Sequence, residues 1–483
     1  MDYVDVEKKA ADAEVSSDPS GHKTTDGGAV PGESFEYGNS LYARIQRLAG
    51  RFNIEQRGIE RVPEDERTDR SLLNVGTMWL SANMVVSSFA IGLLAKSLFY
   101  LGVADAMLVC LFFNILGILP VCWFSSFGPV FGLRQMVLSR FWFGWWGVKL
   151  IACFNVCACI GWSAVNSIVG AELIHAVNND VPGWAGIIII AICTFLVTLF
   201  GYKVVHAYEF YSWIPTFIIF LIVLGTFAHS GAFVHIPWGV GKSEMGGVLS
   251  FGVTVYGFAT GWASYAADYT VYHPSSQSRR KVFLSTAAGL IFPLLFTEML
   301  GIAVMSATAI NGGDNRYQVG YSNSGTGGLL AAVLFPPLGG FGKFCLVILA
   351  LSIVANNSIA IPGYSHFESI LENFMNFIGY WLAIYEGIAV TDHFLFKRGI
   401  AGYVPEHYDQ PSKLPPGIAA VVAFGFGVAG MVTGMSQTWY VGKIALHAGE
   451  APFGGDVGFE LGFAFAAVSY AVLRPIELKV FGR

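Results

Sequence analysis

The sequence predicts an all-α polytopic membrane protein built from two inverted repeats of five helices, and three observations carry that prediction. Of 483 residues 54% are hydrophobic and 13% charged, with a mean hydropathy of +0.56, outside the range of soluble globular chains. Apolar tracts of about 20 residues, enough to cross ~30 Å of hydrocarbon, recur after a polar beginning. Polar side chains inside those tracts gather on the first, third, sixth and eighth, which a shift of five relates. In two five-helix inverted repeats the first helix of each is discontinuous and lines the site. The net charge of −5 is small and spread, so nothing points to a nucleic-acid partner.

Residues 1–40 are rich in Asp, Glu, Ser, Gly and Lys and read as a disordered tail. Residues 41–70 follow as a juxtamembrane segment: Leu41, Ile45 and Leu48 recur at helical spacing with Arg44, Arg47 and Arg51 on another side. That pattern suits an interfacial helix on anionic lipid, or equally a solvated basic linker.

Apolar spans follow at about 72–95, 101–124, 146–175, 184–202 and 208–228, the first repeat (71–230). The second (247–393) holds 247–268, 283–308, 340–361 and 374–393; after a loop at 394–415 come 416–436 and 457–473, then a short tail to 483. Leu329–Pro337 is too short to span and is expected to be part of an outer loop. All seven cysteines lie in apolar tracts without metal or redox spacing and read as small buried hydrophobes.

Arg134, Arg140, Lys203, Arg279, Arg280 and Lys281 mark one set of loops as basic, and with them the amino terminus as cytoplasmic. The count then fails after the eighth span, because Lys397, Arg398 and Lys413 also carry the cytoplasmic signature. Either a span is missing, or 340–361 dips in and returns, or the last three spans are inverted. The SIAIPGYS run between Asn357 and His366 cannot cross, and a missing piece of roughly thirty to forty residues restores twelve spans with both ends inside.

Phe251–Asp268, FGVTVYGFATGWASYAAD, is where a binding site is expected. Gly252, Gly257 and Gly261 thin the sixth span, and a weakened helix is tolerable in lipid only against protein or a water-filled cavity. The plainer reading is a small-xxx-small packing face. On the third span Trp162 and Asn166 are four apart and share a face. A carboxamide beside an indole can stack on a flat ring and bond its edge, and a second indole at Trp262 allows a sandwich worth about 1–3 kcal/mol per stacked face. A neutral, planar, nitrogen-rich heterocycle fits these groups. Glu298 and Glu386 lie inside apolar spans, where a charge costs about 2.5–3.5 kcal/mol. They are candidates for proton coupling, with structural hydrogen bonding as the default; neutral oxygens suited to sodium are also abundant. The ten histidines form no metal-like cluster, and no cofactor is expected.

NIEQRGIERVPEDERTD, GLRQMVLSRFWFGWWG, GWSAVN, GWASYAADYTVYHP, SIVANN and GYSHFESILENFMNFIGYW together resemble the fungal purine–cytosine permeases of the nucleobase–cation symporter family. The likeness runs from about residue 50 to near the end. It implies a leucine-transporter-like fold and uptake of adenine, guanine, hypoxanthine and cytosine with protons at the plasma membrane. It also implies a site in which Trp162 and Trp262 sandwich the base. Asn166, Asn356, Asn357 and Ser88 would supply polar contacts, and Gly261 the backbone beside the base. In the family SIVANN runs on through the eighth helix and a ninth precedes GYSHFESILENF; here it meets SIAIPGYS directly. The rival readings are a transporter of another heterocycle or an amino acid on the same fold, and a truncated, non-transporting form. An enzyme would need a nucleophile–base pair or metal cluster, and the spans show neither.

Overall fold

The computed structural model describes residues 59–199, 211, 213–353 and 367–483. The expected tail at 1–40, the interfacial helix near Leu41–Arg51, Lys203, Asn356 and Asn357 therefore lie outside the described residues.

The first span is broken. Helix α1 (Leu72–Asn83) and helix α2 (Val86–Ser97) meet at 52° across Met84 and Val85. Ser71 caps α1 by accepting from the Asn74 amide at 3.2 Å, satisfying one of the free amides of the first turn. Helices α3 (Val103–Ser125), α4 (Arg140–Val177), α5 (Gly183–Leu199) and α6 (Trp213–Ser230) follow. Exposed Leu108, Phe112, Ile115 and Leu119 form one stripe along α3. At helical spacing this is a lipid-facing surface rather than an unfilled core.

The second set opens with α7 (Gly241–Thr260), which stops in mid-tract; Gly261–Tyr265 turns irregularly before a 3-10 turn at Ala266–Tyr269. Then come α8 (Arg279–Ser306), α9 (Arg316–Leu338), α10 (Gly340–Ile353), α11 (Phe367–Thr391), α12 (Ile418–Gly434) and α13 (Gly458–Phe481). Leu329–Pro337, expected in an outer loop, is the second half of α9, kinked at Ser324 and Gly325. Among the described residues five helices are long and apolar enough to cross a membrane, the broken α1–α2 pair makes a sixth, and α5, α10 and α12 supply shorter apolar helices.

The core lies where the first helices of the two sets pack on their neighbours: α8 against α1, α2 and α3, and α7 against α3 and α11. On the basic side, residues 61–71 form a strap rather than a continued amphipathic helix; its one helical piece is a turn at Glu64–Glu66. Arg67 is buried in it, donating to the Val62 carbonyl at 2.7 and 2.9 Å and to the Pro129 carbonyl at 3.0 Å. Carbonyl oxygens with a glutamate at 3.0 Å satisfy most of the buried guanidinium. At the opposite end of α12, strands β1 (Ser436–Gln437) and β2 (Tyr440–Val441) make a small hairpin.

Three cysteines match the expectation of burial: Cys110, Cys122 and Cys345. Cys153, Cys157 and Cys159 do not. Cys159 opens onto a cavity beside α4, while Cys153 and Cys157 are exposed on α4 because an apolar tract in a membrane need not face the protein interior.

Candidate functional site

The two helix breaks face one another, and at the first of them side chains satisfy freed backbone groups. Asn83, at the end of α1, donates from Nδ2 to the Trp79 carbonyl at 2.9 Å, while its own carbonyl accepts from Ser88 Oγ at 2.7 Å. Its remaining oxygen accepts from the Trp262 indole N–H at 3.1 Å. The break in the first helix thus holds the first large side chain after the break in α7. Trp79 adds an edge contact to Trp262 at 5.6 Å.

Between the breaks and the face of α4 lies a cavity of about 310 Å³ lined by Asn83, Ser87, Cys159, Trp162, Ser163, Asn166, Phe258, Trp262, Tyr265 and Tyr269 among others. That volume sits at the small end of the range for ligand pockets. None of its lining residues is charged. Trp162 is boxed by edge contacts to Phe258 at 5.3 Å and Phe374 at 5.5 Å, so its plane is set by packing. Ser87 Oγ bonds Asn166 Oδ1, which leaves the Asn166 amide N–H groups to donate to a ligand edge. The cavity therefore offers two indoles, carboxamide and hydroxyl groups and no charge, a setting for an uncharged flat ring.

The structure brings together Trp162, Asn166, Trp262 and Gly261. A Cβ on Gly261 would stand 2.9 Å from Trp162 Cζ2, so only glycine lets the turn pass this close to the indole. The other two glycines serve the packing role: a Cβ on Gly252 would meet the Phe113 ring at 2.5 Å, and one on Gly257 the Met375 carbonyl at 2.0 Å. Both readings of the glycine run thus hold at different positions. Ser88 is placed differently from the expectation. It is buried against the Asn83 carbonyl, and its neighbour Ser87 lines the cavity instead; consecutive helical residues point about 100° apart, and the tilt of α2 after the break selects Ser87. Asn83, Tyr265 and Tyr269 also line the site without having been singled out. Asn83 carried a usable signal, a carboxamide at mid-span; the tyrosines lie beyond the break and have no helical register to betray them.

Neither buried carboxylate reaches the cavity lining. Glu298 on α8 accepts from Asn114 Nδ2 at 2.6 Å, joining α8 to α3. Glu386 on α11 accepts from Tyr256 OH at 2.7 Å and Thr260 Oγ1 at 2.5 Å, both on the last turns of α7 before its break. Glu172 on α4 accepts from the Thr326 amide at 3.0 Å. It lines a separate cavity of about 420 Å³ with Tyr321 and Glu368.

The family model for permeases of cytosine/purines, uracil, thiamine and allantoin matches residues 61–362. The chain belongs to this family. The permease is 66% identical to the purine-cytosine permease fcyB of Emericella nidulans over 491 aligned positions, covering 94% of this chain and 95% of the relative. It is 43% identical to the Saccharomyces cerevisiae purine-cytosine permease FCY2, over 89% of this chain and 87% of that one. Among solved structures it superposes on Mhp1, a nucleobase-cation-symport-1 family transporter in a closed conformation with bromovinylhydantoin bound. The TM-score there is 0.58 at 15% identity, covering 89% of this chain and 96% of the other. At that identity the likeness shows the fold, the all-α polytopic transporter fold expected from the sequence. The permease is a multi-pass integral membrane transporter of nucleobase type and not an enzyme.

Because 94% of 483 residues is about 454, about 37 of the 491 positions aligned with fcyB have no counterpart in this permease. The same arithmetic for FCY2, 89% of 483 against 471 positions, leaves about 41. The family match ends at residue 362, inside the stretch where loop charges break parity.

Proposed function

We propose that this permease imports adenine, guanine, hypoxanthine and cytosine by proton symport across the plasma membrane, its amino terminus cytoplasmic. The observation that carries the reading is the uncharged, indole-walled cavity at the meeting of two helix breaks. A base entering it would displace water from Trp162 and Trp262 and meet the Asn166 amide. Rocking of one repeat against the other would then expose the site to either side. Orientation rests on the basic loops.

For coupling, Glu386 is the better placed carboxylate. Both of its partners belong to α7 one to five residues before Gly261, so loading or releasing a proton there changes hydrogen bonds at the base of the site helix. Glu298 has no such link, since its partner is on α3. Uptake of labelled adenine and cytosine, measured in cells lacking their own permease, tests the substrate claim. Glu386→Gln should leave binding of base measurable while abolishing the rise of uptake with an inward proton gradient; an unaltered gradient response would remove Glu386 from the mechanism.

A second reading follows from the unmatched positions. If the roughly 37 unmatched positions fall together, they amount to a loop and more than one span's worth of scaffold, and the chain is a truncated, non-transporting form. Expressing the permease as it stands beside a version with the segment restored separates the two. Uptake only by the restored chain supports the second reading, and uptake by neither refutes the first.

A further inference from the structure

A second cavity, of about 410 Å³, lies at the basic end of the bundle between the close of α3 and the start of α8. It is lined by Trp123, Ser126, Arg279, Arg280, Phe283 and Leu284. The wall is apolar, and Leu284 is 65% exposed on its lip. Beyond it, exposed Phe394 stacks on Trp123 with centroids 6.2 Å apart. Apolar side chains left open in this way, next to the lipid-facing surface, suit a hydrocarbon chain.

Arg279 and Arg280 border the cavity with their aliphatic stems, and their charge is unbalanced. Arg279 is half-buried, donates to Ser126 Oγ at 3.2 Å and sits 5.4 Å from the Phe127 ring, while its Nε has no partner. Among the described residues no ion pair reaches Arg279, Arg280 or Lys281. By contrast Arg67, Arg134, Arg140 and Arg474 each have a carboxylate within 4.0 Å. No acidic residue lines the cavity. Two adjacent guanidinium groups with unused donors match phosphate oxygens in geometry as well as charge.

We propose that this cavity holds one anionic glycerophospholipid of the adjoining leaflet, its phosphate on Arg279 and Arg280 and an acyl chain along Trp123, Phe283 and Leu284. The chemistry excludes the alternatives in turn. A free phosphate would leave the apolar wall uncovered, and a zwitterionic headgroup brings no net negative charge to offset three consecutive cations. Basic pockets between spans on the cytoplasmic side are suited to such headgroups; that side is cytoplasmic by the orientation proposed above, but the site itself does not depend on transport. Bound there, the lipid bridges the end of α3 and the start of α8, which Arg279 already links through the Ser126 hydroxyl and the Phe127 ring.

Thermal unfolding of the purified permease in neutral detergent, titrated with phosphatidylserine, phosphatidylcholine or soluble glycerophosphate, tests this. Phosphatidylserine should raise the unfolding temperature at a concentration at least ten-fold lower than phosphatidylcholine does, and glycerophosphate should have no effect at the same level. The preference should vanish in Arg279→Gln/Arg280→Gln. Should that double variant fail to fold, Arg280→Gln alone, at an exposed position, should still weaken it several-fold. Equal response to the two lipids, a preference intact in the variants, or a full effect of glycerophosphate would each overturn the proposal.

Discussion

Gly261→Ala is the sharpest probe of the site. The added methyl would stand 2.9 Å from Trp162 Cζ2, and 3.2 and 3.3 Å from the Phe258 and Gly257 carbonyls. Restoring an ordinary carbon separation of about 3.5 Å requires the indole edge to move roughly 0.6 Å. Phe258 and Phe374 stand against that ring at 5.3 and 5.5 Å, so it cannot retreat without disturbing them. Overpacking of this kind costs about 1–3 kcal/mol, and the stacking it spoils is worth a similar amount. Affinity for a base should therefore fall by about 5- to 150-fold, at 1.4 kcal/mol per factor of ten. The assay is equilibrium binding of labelled cytosine and adenine to purified protein, with thermal unfolding measured beside it. Gly257→Ala is the control: its methyl would meet the Met375 carbonyl at 2.0 Å and the Gly379 amide at 3.1 Å, both backbone. It should lower folded yield by forcing α7 from α11. If Gly261→Ala bound cytosine with unchanged affinity, the placement of the turn against Trp162 would be refuted.

Other perturbations separate site from scaffold. Trp262→Ala should weaken base binding by about 1–3 kcal/mol and also free the Asn83 oxygen that its N–H engages; competition binding reads both cytosine and adenine. Ser87→Ala releases Asn166 and should reduce affinity by about 2- to 12-fold, for a net bond of about 0.5–1.5 kcal/mol. Ser88→Ala should leave affinity alone and lower thermal stability, because its hydroxyl serves the Asn83 carbonyl at the helix break. Burial pushes the Asp456 carboxyl up to about 6 from the ordinary 3.8, against bonds from Tyr380 and from the Ser436 and Gly458 amides. The folded chain then holds a proton that the unfolded chain releases near pH 4. That stabilisation is complete below about pH 4 and is lost as pH rises toward 6. Unfolding temperatures measured between pH 4 and 7 should show the fall, and Asp456→Asn should flatten it.

Much of the site was legible because hydrocarbon makes polar groups costly. Trp162, Asn166 and Trp262 stood out as polar or amphipathic groups in mid-span, and they line one cavity. Less legible were choices among near-equivalent neighbours. Ser87 and Ser88 have the same side chain at adjacent positions, and the 52° bend between α1 and α2 sets which one meets the cavity. Glu298 and Glu386 are alike as carboxylates in apolar spans, yet only Glu386 bonds to the broken helix.

By itself the sequence determined the membrane solvent, the α-helical class, the discontinuity near Gly261 and the stretch after Asn357 where the charge pattern breaks. These follow from composition, tract length and local backbone chemistry, all of which act within a few turns of one helix. The tertiary structure alone decided which glycine spares room for an indole and which for a crossing helix, and which hydroxyl and carboxylate attend the site. Those outcomes depend on where a second helix, distant in the chain, brings its backbone within 3 Å, and no periodicity in one segment encodes the position of its partner.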